Sequence, residues 1–516
     1  MSTFPLLTLL TLVPLLGGVA ALLASNRTDL SRRIALAASL LALAGAVLLW
    51  AEFDSSRAGW QFVERSAWVT SLGIDYHLGI DGLGLLMVLL SALIVPFAML
   101  ASWKIGRNPG LYFALILFLE AGLFGTFTAL NFFHWFIYWE LGLIPAFFLI
   151  KMWGGPQRTQ AAVQFFIYTL AGSVAMLLAF LAIFASTGLF DFDQLAAVTR
   201  NGGLDNALFA KLGGSFFKSK ETLAALVFLG VFLGFAVKAP LMPFHTWLPS
   251  AYAEAPTGTS MLLTGAMSKM GVYGFLRILL PLFPGQMRAM QTPLLCLAVV
   301  TIVFSAAAAL AQRDLKRMAA YSSMNHIGYC LLGIFAAVQL TAPGAAWTTE
   351  KAAALNGVML QMFSHGLTAS ALFYFVGLIE QRSGGLRGLD DFGGLRKAAP
   401  VFCGLMGITL FASLGLPGLS GFVGEFLIFK GTLPLAGWAA AVSTLGLLIT
   451  AIFMLAILQR VFSGPVQKRW TGWKDLTTGE RLTLAPVIAL MFLLGICPQI
   501  LISVSNPAAL AIMKHF

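Results

Sequence analysis

Charge is scarce in this chain: Asp, Glu, Lys and Arg make up 10% of 516 residues, where soluble domains carry roughly 25%. That leaves too little polar surface for a water-soluble globule and excludes an ordinary globular enzyme. Cysteine is scarce as well. Cys296, Cys330, Cys403 and Cys497 are scattered through apolar segments with no CxxC or Cys/His cluster, so the chain supplies no recognisable iron–sulfur or zinc site. A P-loop and a strand-flanked GxGxxG are also missing, and the glycine-rich GGLRGLDDFGGL at 384–395 reads as a cytoplasmic loop rather than a nucleotide cradle. The run after MSTFPLL lacks the positive leader of a secretory signal peptide and reads as a retained first helix. The net charge of +11 fits loop Lys and Arg that set membrane orientation, and no nucleic-acid partner is expected.

Apolar sequence is abundant. The chain is 59% hydrophobic, its mean hydropathy is +0.87, and its apolar runs reach the roughly 20 residues that cross a bilayer. This composition predicts an all-α polytopic membrane protein with about fourteen transmembrane helices. They are expected at 4–24, 34–51, 79–101, 111–130, 132–152, 162–187, 222–250, 257–280, 292–311, 317–338, 354–379, 400–431, 436–462 and 482–503. The polar connections 52–78 and 188–221 contain Trp, Asp and Gly and are expected to be ordered caps. Most basic residues, from Arg27, Arg32 and Arg33 through Lys474 and Arg481, fall in one alternate set of loops. The positive-inside rule then places both termini on the outer side.

Two spans carry their own interruptions. Lys238 ends the apolar run LAALVFLGVFLGFAV and is followed by APLMPFHTWLP, in which Pro240 and Pro243 remove backbone donors and break the helix near 238–243. A second break, near 415–421, lies in SLGLPGLSGFVGEFLIFKG, where Pro417 and its glycines precede Glu425. Matching interruptions in helices seven and twelve suggest an internal repeat, and broken helices beside buried charge are how transporters build ion sites. The expected organisation is helices 1–3 with an external loop (1–110), a first repeat (111–285), a second, inverted one (286–465), each of about five helices, and a C-terminal helix (466–516).

The spans also bury ionisable groups. Glu140, Lys238, Lys269, His326, His365 and Glu425 all fall inside apolar runs, where a charge costs on the order of 3 kcal/mol or more. A structural ion pair or a satisfied core histidine would account for any one of them. A row of acids and bases across several helices is what a proton relay needs, since each member must gain and lose a proton. Glu120 and His245 are possible additional members. Asp81 and His134 lie near span ends, where solvation suffices, and are read as structural.

These segments resemble a known family. WELGLIP around Glu140, VKAPLMPFHTWLPSAYAEAPT, MLLTGAMSKMGVYGFLR, AQRDLKRMAAYSSMNHIGY, LQMFSHGLTASALF and LPGLSGFVGEF are similar, in order and over about 75–465, to the proton-conducting antiporter-like subunits of respiratory complex I, the NADH-quinone oxidoreductase. Glu425, where the L and N branches and the cation antiporters have lysine, implies the M-type (chain 4) branch. The loop EQRSGGLRGLDDFGG departs from the shorter link of many members. The resemblance implies that Glu140 and Lys238 form an input-side charged pair, that Lys269 is the central relay, that His326 and His365 continue the axis, and that Glu425 passes protons toward the exit. It implies no cofactor in this chain, with NADH, FMN, iron–sulfur clusters and quinone in partner subunits. It further implies adjacent L- and N-type subunits and a bacterial inner membrane. The alternatives are a subunit of a multi-component sodium/proton antiporter, a membrane-bound hydrogenase-type pump, or a membrane scaffold for a quinone-reducing assembly.

Overall fold

The computed structural model describes residues 4–214, 217–339 and 348–514. Among them, eleven helices are long and apolar enough to cross a membrane. In chain order the elements are α1 (Leu6–Leu23), α2 (Thr28–Glu52), β1 (Gln61–Val69), β2 (Ile74–Ile80), α3 (Gly82–Ala101), α4 (Pro109–Thr128), α5 (Phe132–Trp153), α6 (Arg158–Thr187), α7 (Phe192–Arg200) and α8 (Gly203–Leu212). They continue with α9 (Lys220–Lys238), α10 (Trp247–Glu254), α11 (257–282), α12 (Gln291–Ala311), α13 (Leu315–Ala337), α14 (Thr348–Arg382), α15 (Pro400–Ser413), α16 (Ser420–Leu435), α17 (Gly437–Ile457), α18 (Thr478–Ile496) and α19 (Gln499–Met513).

The protein is mostly helical, with one addition. Residues 61–80, expected as part of an ordered cap, form an antiparallel hairpin in which Arg65 pairs with His77 and Ala67 with Asp75. Alternation in QFVERSAWV and IDYHLGI suits a pleated strand, and the third span therefore begins at Gly82 rather than at 79. The other long connection, 188–221, is capped by α7 and α8. Asp191 starts α7, accepting from the amides of Asp193 and Gln194.

Both expected breaks are present. The chain leaves α9 at Lys238, passes through turns over 239–246 that contain Pro240 and Pro243, and re-enters a helix at Trp247. It leaves α15 at Ser413 and resumes at Ser420, with Pro417 between and Gly415 and Gly418 at positive φ. The last expected span, 482–503, is corrected: Cys497–Pro498 separates α18 from α19, because a proline cannot donate to the preceding turn. α11 is one helix with two π segments, Leu263–Met267 and Phe275–Leu279, on either side of Lys269.

Glycines let the central helices touch. A Cβ at Gly271 would lie 2.6 Å from the amide nitrogen of Ala239, and one at Gly424 would lie 2.9 Å from the Cα of Gln361. These contacts bring α11 against the α9 break, and α16 against α14. The hairpin, α7 and the end of α19 share one face of the bundle: Asn131 bridges to Asp191, Leu78 to Ala129, and Ala511 and Ile512 line a cleft with Trp60 and Asp81. The start of α1 lies there too, where Glu64 accepts from the amide of Leu7 at 2.8 Å.

Candidate functional site

Lys238 owes its position to the break. It is the last residue of α9 and buried, at the helix end where unpaired carbonyls favour a cation. The carbonyls of the preceding turn find new partners: Val237 O accepts from the indole of Trp247 at 3.0 Å, and Ala236 O from the amide of Leu241 at 2.9 Å. The ammonium lies 4.7 Å from the ring centroid of Trp139, a cation–π distance, and Trp139 is held by a 3.0 Å hydrogen bond from its indole to Ser173.

Glu140, the next residue on α5, is half-buried, and its Oε1 has no hydrogen-bond partner among the described residues. Its charge acts on Lys238 through space, but among the described residues the two make no contact ion pair. In place of a direct ion pair, the ring of Trp139 stands against the amine.

Lys269 sits at the centre. It is fully buried in the α-helical turn between the two π segments, an irregularity common at functional sites. Its Nζ donates to the carbonyl of Thr264, which also accepts from Ser268 Oγ at 3.0 Å. The amine lies 2.8 Å from Nδ1 of His365. From there the ring of His326 is 5.0 Å away, centroid to centroid. His326 Nδ1 is 3.0 Å from Oε1 of Glu425. Gln361 joins the last two: its Nε2 is 3.2 Å from both His326 Nδ1 and Glu425 Oε1.

Four helices, α11, α14, α13 and α16, thus contribute to one buried line from Lys269 to Glu425. Glu425 has room because position 415 is glycine, where a Cβ would come within 2.6 Å of its Oε2. Two residues stand apart. Glu120 on α4 is fully buried with neither carboxyl oxygen partnered among the described residues, and His245 in the break packs edge-on against Phe304 at 5.3 Å. Asp81, read as structural, caps α3 and forms a buried ion pair with Arg277. His134, also read as structural, is buried beside Tyr76 and Tyr138.

Gln361 was not among the expected site residues. It lies four positions before His365, one helical turn away on the same face, a spacing that could have revealed it. Thr264, Ser268 and Trp139 were missed for the same reason: none carries charge.

Comparison with known proteins follows the same pattern. Residues 129–452 match the family described as NADH:quinone oxidoreductase/Mrp antiporter, TM. The chain is 35% identical to NADH-quinone oxidoreductase subunit M of Rhodobacter capsulatus, over 99% of this chain and 97% of that protein. It is 34% identical to NADH-quinone oxidoreductase subunit M of Mycobacterium tuberculosis, over 98% and 94%. Among solved structures it matches a chain of respiratory complex I from Thermus thermophilus with bound NADH, with a TM-score of 0.83, 29% identity and 99% of both chains covered. A chain of the Mrp complex from Dietzia matches in fold, with a TM-score of 0.83 at 21% identity.

Proposed function

Because this chain belongs to the NADH:quinone oxidoreductase/Mrp antiporter family of membrane subunits, we propose that it is the M-type proton-translocating subunit of an NADH-quinone oxidoreductase. The observation that carries the mechanism is the buried line Lys269–His365–His326–Glu425, held at 2.8, 5.0 and 3.0 Å. Protons are its cargo, since each member can bind and release one. NADH, FMN, iron–sulfur clusters and quinone belong to partner subunits. The neighbours in the membrane are L- and N-type subunits, and the membrane is a bacterial inner membrane with both termini outward. The antiporter alternative has the shared fold and the shared family description behind it, whereas the full-length relatives are M-type subunits.

The chain conducts in steps. With Glu140 close, Lys238 holds its proton; with Glu140 withdrawn, only the weaker attraction of the Trp139 ring remains, and the amine gives its proton up toward Lys269. Unit charges about 4 Å apart couple by about 4 kcal/mol at an effective dielectric of about 20, enough to move a proton affinity by a few decades. Lys269 passes the proton to His365, and across the ring-to-ring step to His326 and Glu425. Each transfer changes the charge seen by the next pair, so a redox event elsewhere in the complex can drive the sequence electrostatically.

The test is separate replacement of Glu140 by Gln and Lys238 by Ala in the assembled complex. NADH-driven proton pumping should fall at least about tenfold in each, the scale of one lost charge-assisted interaction. Normal pumping in both removes the pair from the mechanism. Deletion of the chain should abolish NADH-dependent pumping; loss of sodium resistance with pumping intact selects the antiporter reading.

A further inference from the structure

α14 and α16 meet at glycines on both sides of the relay. A Cβ at Gly424 would fall 2.7 Å from Gln361 Oε1, and one at Gly357 would fall 2.5 Å from the amide nitrogen of Ile428. This crossing presses the residue before Glu425 against the backbone of Gln361. Gln361 is 1% exposed, and its Nε2, His326 Nδ1 and Glu425 Oε1 form a triangle with sides of 3.2, 3.2 and 3.0 Å. The amide orientation follows from the carboxylate: turned over, Gln361 would set its oxygen against Oε1, acceptor against acceptor.

Nδ1 has a single site, so it cannot accept from the amide and donate to the carboxylate at once. An imidazole Nδ1 either carries a proton and donates, or is bare and accepts. When Nδ1 is bare, the two amide hydrogens of Gln361 bridge His326 and Glu425. When Nδ1 carries a proton, it donates to Glu425 and the amide must release the ring. The two arrangements exclude each other.

We propose that Gln361 is a positioning residue of the relay: its amide competes with the moving proton for Nδ1 of His326 and fills that atom once the proton has passed to Glu425. The inference rests on the proton-relay reading above. In the step itself, the Nδ1–H bond breaks as an O–H bond forms on Glu425, so an imidazolium and a carboxylate become an imidazole and a carboxylic acid. The freed lone pair then accepts from Gln361, which opposes the return of the proton. His365 and Tyr329 are the other titratable groups in ring contact with His326, with Lys269 beyond His365, and among the described residues none of them donates to Nδ1.

Two variants in the intact complex test this. Gln361→Met keeps the shape and removes both donors, and should slow proton transfer through this chain about tenfold, the loss expected from one hydrogen bond to a charged group. Gln361→Glu keeps size and polarity but donates only when protonated, so its pumping should recover as pH falls from about 8 to about 6 while the wild type changes little. Glu425→Gln is run in parallel. If Glu425→Gln pumps normally, the relay reading itself fails. If Glu425→Gln is inactive while both Gln361 variants pump as wild type, or lose activity equally at every pH, the proposal for Gln361 is overturned. Failure of both Gln361 variants to assemble also overturns it, since that marks a purely structural residue.

Discussion

Lys269 has no exposed surface, yet its amine is held by a backbone carbonyl and an imidazole rather than by a carboxylate. A buried ammonium without an anion is costly to keep, which suits a group that must release its proton. The opposite case is Glu120, whose two oxygens have no partner among the described residues. It lies outside the hydrogen-bonded line, so Glu120→Gln, of equal size, should keep at least about half of the wild-type pumping and lower stability by at most about 1–3 kcal/mol, the scale of an unpartnered buried amide. Fluorescence quenching in inverted vesicles and thermal melting of the complex measure the two effects. Charged members of the site were legible in the sequence because a charge in an apolar run announces its own cost. Gln361 was not, because an amide carries no charge and its role depends on two side chains 35 and 64 positions away.

At the scale of elements, the breaks decide where the groups meet. Pro240, Pro243 and Pro417 are visible in the sequence, and each lies in a break that the structure contains. The π segments around Lys269 and the interruption between α18 and α19 were less visible. The first involves no proline, only glycines of a kind found throughout the spans, and the second turns on Pro498 alone within an apolar run. Helix contact through glycine has a direct test. Gly424→Ala would put a methyl group 2.9 Å from the Cα of Gln361, an overpacked contact that costs about 1–3 kcal/mol. The variant should melt lower and pump more slowly, with both effects measurable on the purified complex. A variant equal to wild type in both would mean that the α14–α16 contact yields easily.

Across the whole molecule, the hairpin face is tied down by polar contacts outside the membrane-spanning helices. His77 Nδ1 and Asp191 Oδ2 are 2.6 Å apart, and the indole of Trp60 donates to Asp193 at 2.6 Å. Burial alone would raise the Asp191 carboxyl, but hydrogen bonds from His77 and from the Gln194 amide outweigh it and hold the group below the usual carboxylate range. A carboxyl lowered on folding stabilises fully above its unfolded value of about 4, and that contribution is lost as pH falls through the lowered folded value. Asp191→Asn should therefore destabilise this face by about 1–3 kcal/mol at neutral pH and by nothing in strong acid. Protease sensitivity of the hairpin, followed against pH, measures it. Membrane residence, helical class and most charged groups of the buried line follow from composition and from apolar runs interrupted by charge, because bilayer burial penalises each residue locally. Which groups touch depends on glycine contacts and helix breaks between segments far apart in the chain. That is why the separation of Glu140 from Lys238, the hairpin and the Gln361 triangle came only with the folded packing.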